Sequence, residues 1–247
     1  NGAEIGPADD IEAAVAALSP GDELILRGGT YLFDQNITLR ANGTANQPIV
    51  IRAKNGEQPV LTQATNQQNV VEINGSSYLV IRGLEFTGGS HGIRLMNSNY
   101  ITIEDCEVHE TGDVAISANS GGTYEGLKIL RNHIHHTNGT GEGIYLGCNN
   151  DACRIANSLI EGNYIHHTNR ATVLQGDGIE GLAEQPGRGS TVGDRAVARG
   201  AIGHHDDGIV GAHVAIDTDS VEALLDRSAG RSLERRLVDV GVGGDEA

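Results

Sequence analysis

One short pattern returns four times between Ser77 and Glu180, and it constrains the fold more than any other feature of the chain. The returns are Tyr78-Leu-Val-Ile-Arg-Gly-Leu-Glu-Phe86, Tyr100-Ile-Thr-Ile-Glu-Asp-Cys-Glu-Val108, Leu127-Lys-Ile-Leu-Arg-Asn-His-Ile134 and Leu159-Ile-Glu-Gly-Asn-Tyr-Ile165. Aligned, they place Phe86, Val108, Ile134 and Ile165 in one column at spacings of 22, 26 and 31 residues. Self-similarity at this period is the signature of a repeat architecture.

Each return alternates apolar and polar residues, which gives a strand one buried and one exposed face. A second run follows in every unit: His91-Gly-Ile-Arg-Leu95, Asp113-Val-Ala-Ile116, Glu142-Gly-Ile-Tyr-Leu146 and Asp177-Gly-Ile-Glu180. Two or three short strands per unit without crossover helices predict an all-β, single-stranded parallel β-helix. A meander sandwich competes, but its strands are not expected to return as columns of like residues. In a solenoid, equivalent residues of successive coils stack about 4.8 Å apart. Asn132 and Asn163 share the inward parity of Ile134 and Ile165, so their amides are expected to form a hydrogen-bonded ladder at a corner. Leu84 and Cys106 hold the same column in earlier coils, and Cys106 reads as a small buried hydrophobe.

A core of stacked Ile, Val and Leu tolerates the absence of Trp and the 35 glycines among 247 residues. The net charge of −16, with Lys54 and Lys128 the only lysines, excludes a nucleic-acid partner, because phosphate contacts need clustered Lys and Arg. No apolar run approaches the roughly 18 residues of a membrane span, so a soluble protein, and a monomer, is expected. A polyanionic substrate would require a bound cation or a local arginine patch. The sequence begins at Asn1 without a charged-then-apolar leader, as a trimmed mature start or an engineered one would. Cys148 and Cys153 bracket a tight polar loop that suits either a bridge or two free thiols; an oxidised pair favours a secreted or cell-surface protein.

In chain order, residues 8–18 carry acids followed by apolar residues at helical spacing, and Ser19-Pro20-Gly21 stops them. This region, 1–20, is expected to cap the open first coil. Residues 21–180 are expected to form the β-helix and 181–247 an atypical C-terminal segment. Beyond Glu180, Asn, Lys, Tyr and Phe are absent, while Arg, Ala, Asp and Gly dominate. Three explanations compete: a subdomain with a helix running from Asp219 towards Val240, further coils in which His204-His205-Asp206-Asp207-Gly208-Ile209 echoes the earlier units, and a changed reading frame that replaced native coils.

Three constellations carry chemistry. Asp113, Glu142 and Asp177, with Asp207 as a possible fourth, begin the second strand of successive units; stacked carboxylates repel unless one is protonated or a cation lies between them, and oxygen-only ligands suit calcium. The same acids also read as acceptors for their own turn amides. Arg94, Tyr145 and Glu180 share an outward position, where Arg94 suits a substrate carboxylate and Tyr145 suits sugar stacking or proton transfer; a solvated face is the alternative. His109, His135 and His166 follow the aligned column, with His136 and His167 beside two of them. An imidazole there can take a proton or bind a transition metal, although stacked His may simply repeat a favourable corner and no closed zinc set is apparent.

The segments DIEAAVAALSPGDELILRGGTY (10–31) and GTANQPIVIRA (43–53) resemble the opening of right-handed parallel β-helix proteins, especially the chondroitinase-B/alginate-lyase group of polysaccharide lyases. The resemblance runs to about Glu180. It implies a right-handed solenoid, secretion, and calcium-assisted β-elimination of an acidic, uronic-acid polysaccharide. By context Asp113, Glu142, Asp177 and Glu180 match the calcium side. The family's catalytic Lys has no match, so a lyase here needs Tyr145, His135 or His166 as base with Arg94 assisting, or has lost its base with the altered tail. Asp206-Asp207 resembles polygalacturonases, but their Gly-His-Gly and Arg-x-Lys motifs are absent. A non-catalytic glycan-binding β-helix and a uronan C5-epimerase are the other expectations.

Overall fold

A computed structural model describes residues 2–139, 141–148, 152–168, 179–181, 197–199 and 209–216, the last three segments by their backbone. The described chain winds as a parallel β-helix whose coils each contribute a strand to three sheets. The first sheet stacks Gly2–Ile5, Glu23–Leu26, Ile49–Ala53, Ser77–Arg82, Asn99–Glu104 and Lys128–Leu130. The second stacks Gly29–Phe33, Pro59–Gln63, Glu85–Thr87, Glu107–His109 and His133–His135. Ser158–His166 is long enough to pair with both ladders, with Gly162 at φ 67° where it turns the corner. The third sheet stacks Thr38–Leu39, Val71–Asn74, Ile93–Met96, Ile116–Ala118, Ile144–Leu146 and Ile179–Gly181.

The register reproduces the sequence column. Phe86 pairs with Val108, Val108 with Ile134 and Ile134 with Ile165. The column also extends backwards through Leu61 to Tyr31. All six side chains are buried, because period-two alternation turns every second residue of each strand inward. The uneven spacing arises in the turns. Gly122–Glu125 and Cys153–Ala156 form an added two-stranded pair between the third and first sheets, which lengthens the later coils without disturbing the column.

The expected amide ladder is present at the corner between the first and second sheets. Asn132 accepts a hydrogen bond from the Cys106 backbone N–H at 3.0 Å and donates to Ile103 O. Asn163 Oδ1 accepts from both the backbone N–H and the amide of Asn132, at 2.8 and 2.9 Å, while its own amide donates to Ile129 O. One position before the ladder, Asp105 and Arg131 adopt φ of 53° and 52°, a left-handed conformation that non-glycine residues rarely hold. Arg131 offsets this cost with ion pairs to Asp105 and Glu104, both at 2.8 Å.

Cys106 sits in the same buried column, and burial pushes its thiol up to about 12. Because only the thiolate is an effective nucleophile, Cys106 is expected to resist iodoacetamide in the folded protein at mildly alkaline pH and to react once urea unfolds it. Mass spectrometry of the alkylated chain checks this; rapid labelling under native conditions would mean that the column opens.

The N-terminal helix spans Ile11–Ala16, shorter than the sequence expectation of 8–18. Asp10 caps it by accepting from Ala13 N; Ile11 and Val15 are buried in the core, and Ala14 packs against it partly buried. An Ala-rich run with two buried contacts has little to hold further turns. Glu12 accepts from Thr38 N at 2.8 Å, which ties the helix to the third sheet. Gly2–Ile5, ahead of the helix, already forms the first rung beside Glu23–Leu26. At the other end, Ile209–Ile216 pairs antiparallel with Ser158–His166. The remaining expectations for the tail, including the helix from Asp219, His204, His205 and Asp207, lie outside the described residues. Among the described residues no helix is long and apolar enough to cross a membrane.

Candidate functional site

The sequence-predicted residues fall on two different faces. On the third sheet, Arg94 pairs in register with Glu72 on one side and Ser117 on the other; Ser117 pairs with Tyr145, and Tyr145 with Glu180. Glu72, Arg94, Ser117 and Tyr145 therefore form one outward column, with Arg94 and Tyr145 two rungs, or about 9.6 Å of backbone spacing, apart, and the Glu180 backbone continues the register. Arg94 Nε donates to Ser120 Oγ at 3.3 Å. Arg94 and Tyr145 are half-buried, whereas Ser117 is fully covered.

Ser117 is covered because it meets a residue that the sequence reading left out. His91 is 7% exposed, and its Nδ1 lies 2.9 Å from Ser117 Oγ. Asp113 Oδ2 stands 3.8 Å from the other ring nitrogen. Burial lowers the His91 pKa against the opposing pull of Asp113, so the ring is held towards its neutral form. The signal for His91 was its place two residues before Ile93, equivalent to Glu142 before Ile144.

The acids do not stack as the sequence alignment implied. Two residues separate Asp113 from Ile116, whereas one separates Glu142 from Ile144, and those isoleucines are register partners. Glu142 O accordingly accepts from Ala115 N, which aligns Glu142 with Val114 and leaves Asp113 one step out of the column. Glu142 is 3% exposed, while the Asp113 side chain is 34% exposed. Asp177 lies outside the described residues, and Glu180 is described by its backbone alone. The oxygen set expected for calcium is thus represented among the described side chains by one accessible carboxylate, Asp113, and no three-ligand oxygen cluster assembles there.

On the second sheet, alternation turns Ile134 inward and both His133 and His135 outward. Glu107, in register with His133, places Oε1 at 3.0 Å from His135 Nε2 and 3.3 Å from His133 Nδ1. His109, His135 and His166 stack with ring centroids 4.9 and 5.0 Å apart, the spacing of the strands themselves. His136 and His167 stack at 4.7 Å along the adjoining turn. The hydrogen bond from His135 holds the Glu107 carboxyl below its usual range, and burial lowers His135. Burial, followed by the crowd of neighbouring imidazoles, brings His166 to about 4. His135 and His166 are therefore neutral near pH 7, with Glu107 ionised beside them.

A family model described as "Pel9A-like, right handed beta helix region" matches residues 1–202. The chain belongs to this family. Among relatives of the Pel9A-like chain, pectate lyase L of Paenibacillus polymyxa (strain SC2) is 36% identical over 113 residues, 43% of this chain and 25% of that protein. The alginate lyase from Paenibacillus sp. str. FPU-7 superposes with a TM-score of 0.56 at 24% identity, covering 66% of this chain and 57% of that one. Pectate lyase Pel9A superposes at 0.52 with 19% identity, covering 64% and 46%. At these identities the two superpositions show the fold. The Pel9A-like chain thus spans a quarter of that relative's length and about half of each solved structure.

Within this Pel9A-like β-helix, Arg94 and Tyr145 share the outward column of the third sheet, Asp113 and Glu142 precede its strands outside that column, and His135 and His166 share the second sheet with Glu107 and His133. Sequence reading singled out His135 and missed Glu107 and His133. The missed signal was the His-x-His alternation of 133–135 together with an acid one coil earlier in the column preceding Val108.

Proposed function

We propose that this chain supplies substrate-binding and catalytic coils of a secreted polysaccharide lyase acting on uronic-acid polymers. The observation that carries the reading is the Arg94–Ser117–Tyr145 column on the outer surface of the third sheet, in a chain of this family. Similarity to pectate lyase L of Paenibacillus polymyxa supports the substrate class. A guanidinium presents paired donors to a carboxylate, so Arg94 engages the uronate carboxyl and favours charge delocalised from C5. Tyr145, along the same column, takes the C5 proton as the phenolate and becomes the neutral phenol. The C5–H electron pair then forms the C4–C5 double bond, the C4–O bond breaks, and the departing oxygen is protonated by water. His135 and His166, the alternative bases, stand on the second sheet away from Arg94.

Calcium would supply a further neutralising charge in such chemistry; Asp113, whose side chain is 34% exposed, would contribute one oxygen to it, and the described side chains do not complete a calcium set. No step here depends on it. The Cys148–Cys153 bond, with Cα atoms 5.0 Å apart, supports an oxidising compartment and hence secretion.

The test is ultraviolet absorbance of the unsaturated uronide released from pectate, alginate and chondroitin, measured with and without calcium. Growth of absorbance on one polyuronide names the substrate, and Arg94→Ala is expected to lower kcat/KM about 100-fold, as the loss of a charge-assisted contact does. Retention of a polyuronide by the folded chain without absorbance would replace the lyase reading with a glycan-binding one. Solvent-deuterium exchange at C5 without cleavage would indicate an epimerase.

A further inference from the structure

The second sheet carries a constellation that the lyase reading does not use. His133 and His135 project from one strand on the same side, while the intervening Ile134 is buried, so the strand fixes the separation of the two rings. The neighbouring coil adds Glu107 in register with His133. One ligand atom from each of the three side chains lies within 4.8 Å of the others. Tetrahedral ligands about 2.0–2.1 Å from zinc lie about 3.3 Å from each other. The Glu107 oxygen already stands 3.0 Å from His135 Nε2 and 3.3 Å from His133 Nδ1.

We infer that Glu107, His133 and His135 form a binding site for a divalent transition-metal ion of the zinc class, on a different sheet from the Arg94–Tyr145 column. The remaining nitrogen of each ligand ring is also occupied. His133 Nε2 lies 2.8 Å from His166 Nε2, and His135 Nδ1 lies 2.7 Å from His136 Nδ1. Such outer partners fix ring orientation and tautomer, as they do around bound metals. The site is open to solvent: the side chains of Glu107 and His133 are 35% and 42% exposed, and that of His135 is 13% exposed. Three protein ligands leave a fourth position for water. Two imidazoles and one carboxylate select zinc, nickel or copper over calcium, which takes six to eight oxygens. An ion held between Glu107 and the His133–His135 strand ties two successive coils together, so binding stabilises the fold by mass action.

The test uses zinc chloride with the whole chain after treatment with a chelator. Calorimetry is expected to show one zinc per chain at this site with a roughly micromolar dissociation constant, accompanied by a rise in Tm. His133→Asn combined with His135→Asn is expected to weaken binding at least about 100-fold and abolish the rise, with circular dichroism reporting the fold. Glu107→Gln, which preserves shape, is expected to weaken binding about 10-fold and keeps the test decisive should the double variant unfold. Cobalt in place of zinc gives a visible absorption spectrum that the same variants abolish. The inference is overturned by an absence of saturable zinc binding, by unchanged affinity in the folded variants, or by calcium displacing zinc at equal concentration. It needs no lyase activity: silence in the ultraviolet assay with zinc binding intact would overturn only the lyase reading.

Discussion

Replacing Asn132 with alanine is expected to destabilise the protein by about 3–5 kcal/mol. Asn132 is 1% exposed and serves three partners at once. Its carbonyl oxygen accepts from the Cys106 N–H, its amide donates to Ile103 O, and the same amide meets Asn163 Oδ1. Alanine leaves the Cys106 N–H and the Ile103 carbonyl buried without those bonds, at about 1–3 kcal/mol each, and adds a void where the side chain was. Urea unfolding monitored by circular dichroism reads the effect as a lower midpoint at unchanged slope. A loss below about 1 kcal/mol would show that the corner rearranges and that the ladder is not a stabilising element. Asn163→Ala is expected to cost a comparable amount, because the backbone N–H of Asn132 loses its acceptor and the Ile129 carbonyl its donor, although the Asn132–Cys106 bond survives.

That ladder was legible in the sequence for a physical reason. Parallel stacking makes register equivalent to alignment, so residues that recur at the same distance from the aligned isoleucine must share a column. The same rule placed Arg94, Tyr145 and Glu180 together. It failed where residues are counted through a turn: Asp113 lies three residues before Ile116 and Glu142 two before Ile144, so their likeness in sequence did not become a stack of carboxylates. It also failed at the chain start. Gly2–Ile5 is largely exposed and carries one apolar residue at its end, so its strand is held by pairing with Glu23–Leu26 rather than by a pattern of its own. The Glu107–His133–His135 group was hidden for another reason. Glu107 and His133 share one column and His135 belongs to the next outward one, so a search down one column brings together at most two of the three.

Tyr145→Phe is expected to lower kcat on the polyuronide about 10²–10⁴-fold, the span associated with a positioned proton-transfer group. The substitution removes one oxygen from a half-buried side chain whose neighbours Ile144 and Leu146 hold the strand in the core, so folding should be preserved. Its aromatic ring remains available for sugar stacking, which predicts a nearly unchanged KM. Arg94→Ala should instead affect both parameters, because the guanidinium meets the carboxylate in the bound substrate as well as in the transition state. The pH profile separates the candidate bases independently. A phenol in water titrates near 10 and an imidazole near 6.5, so a phenolate base gives a rate still rising above about pH 8, whereas an imidazole base gives a plateau by then. If Tyr145→Phe leaves kcat intact while His135→Asn or His166→Asn removes it, the proton is taken on the second sheet, and the Arg94 column is a binding surface rather than the place where the sugar is cut.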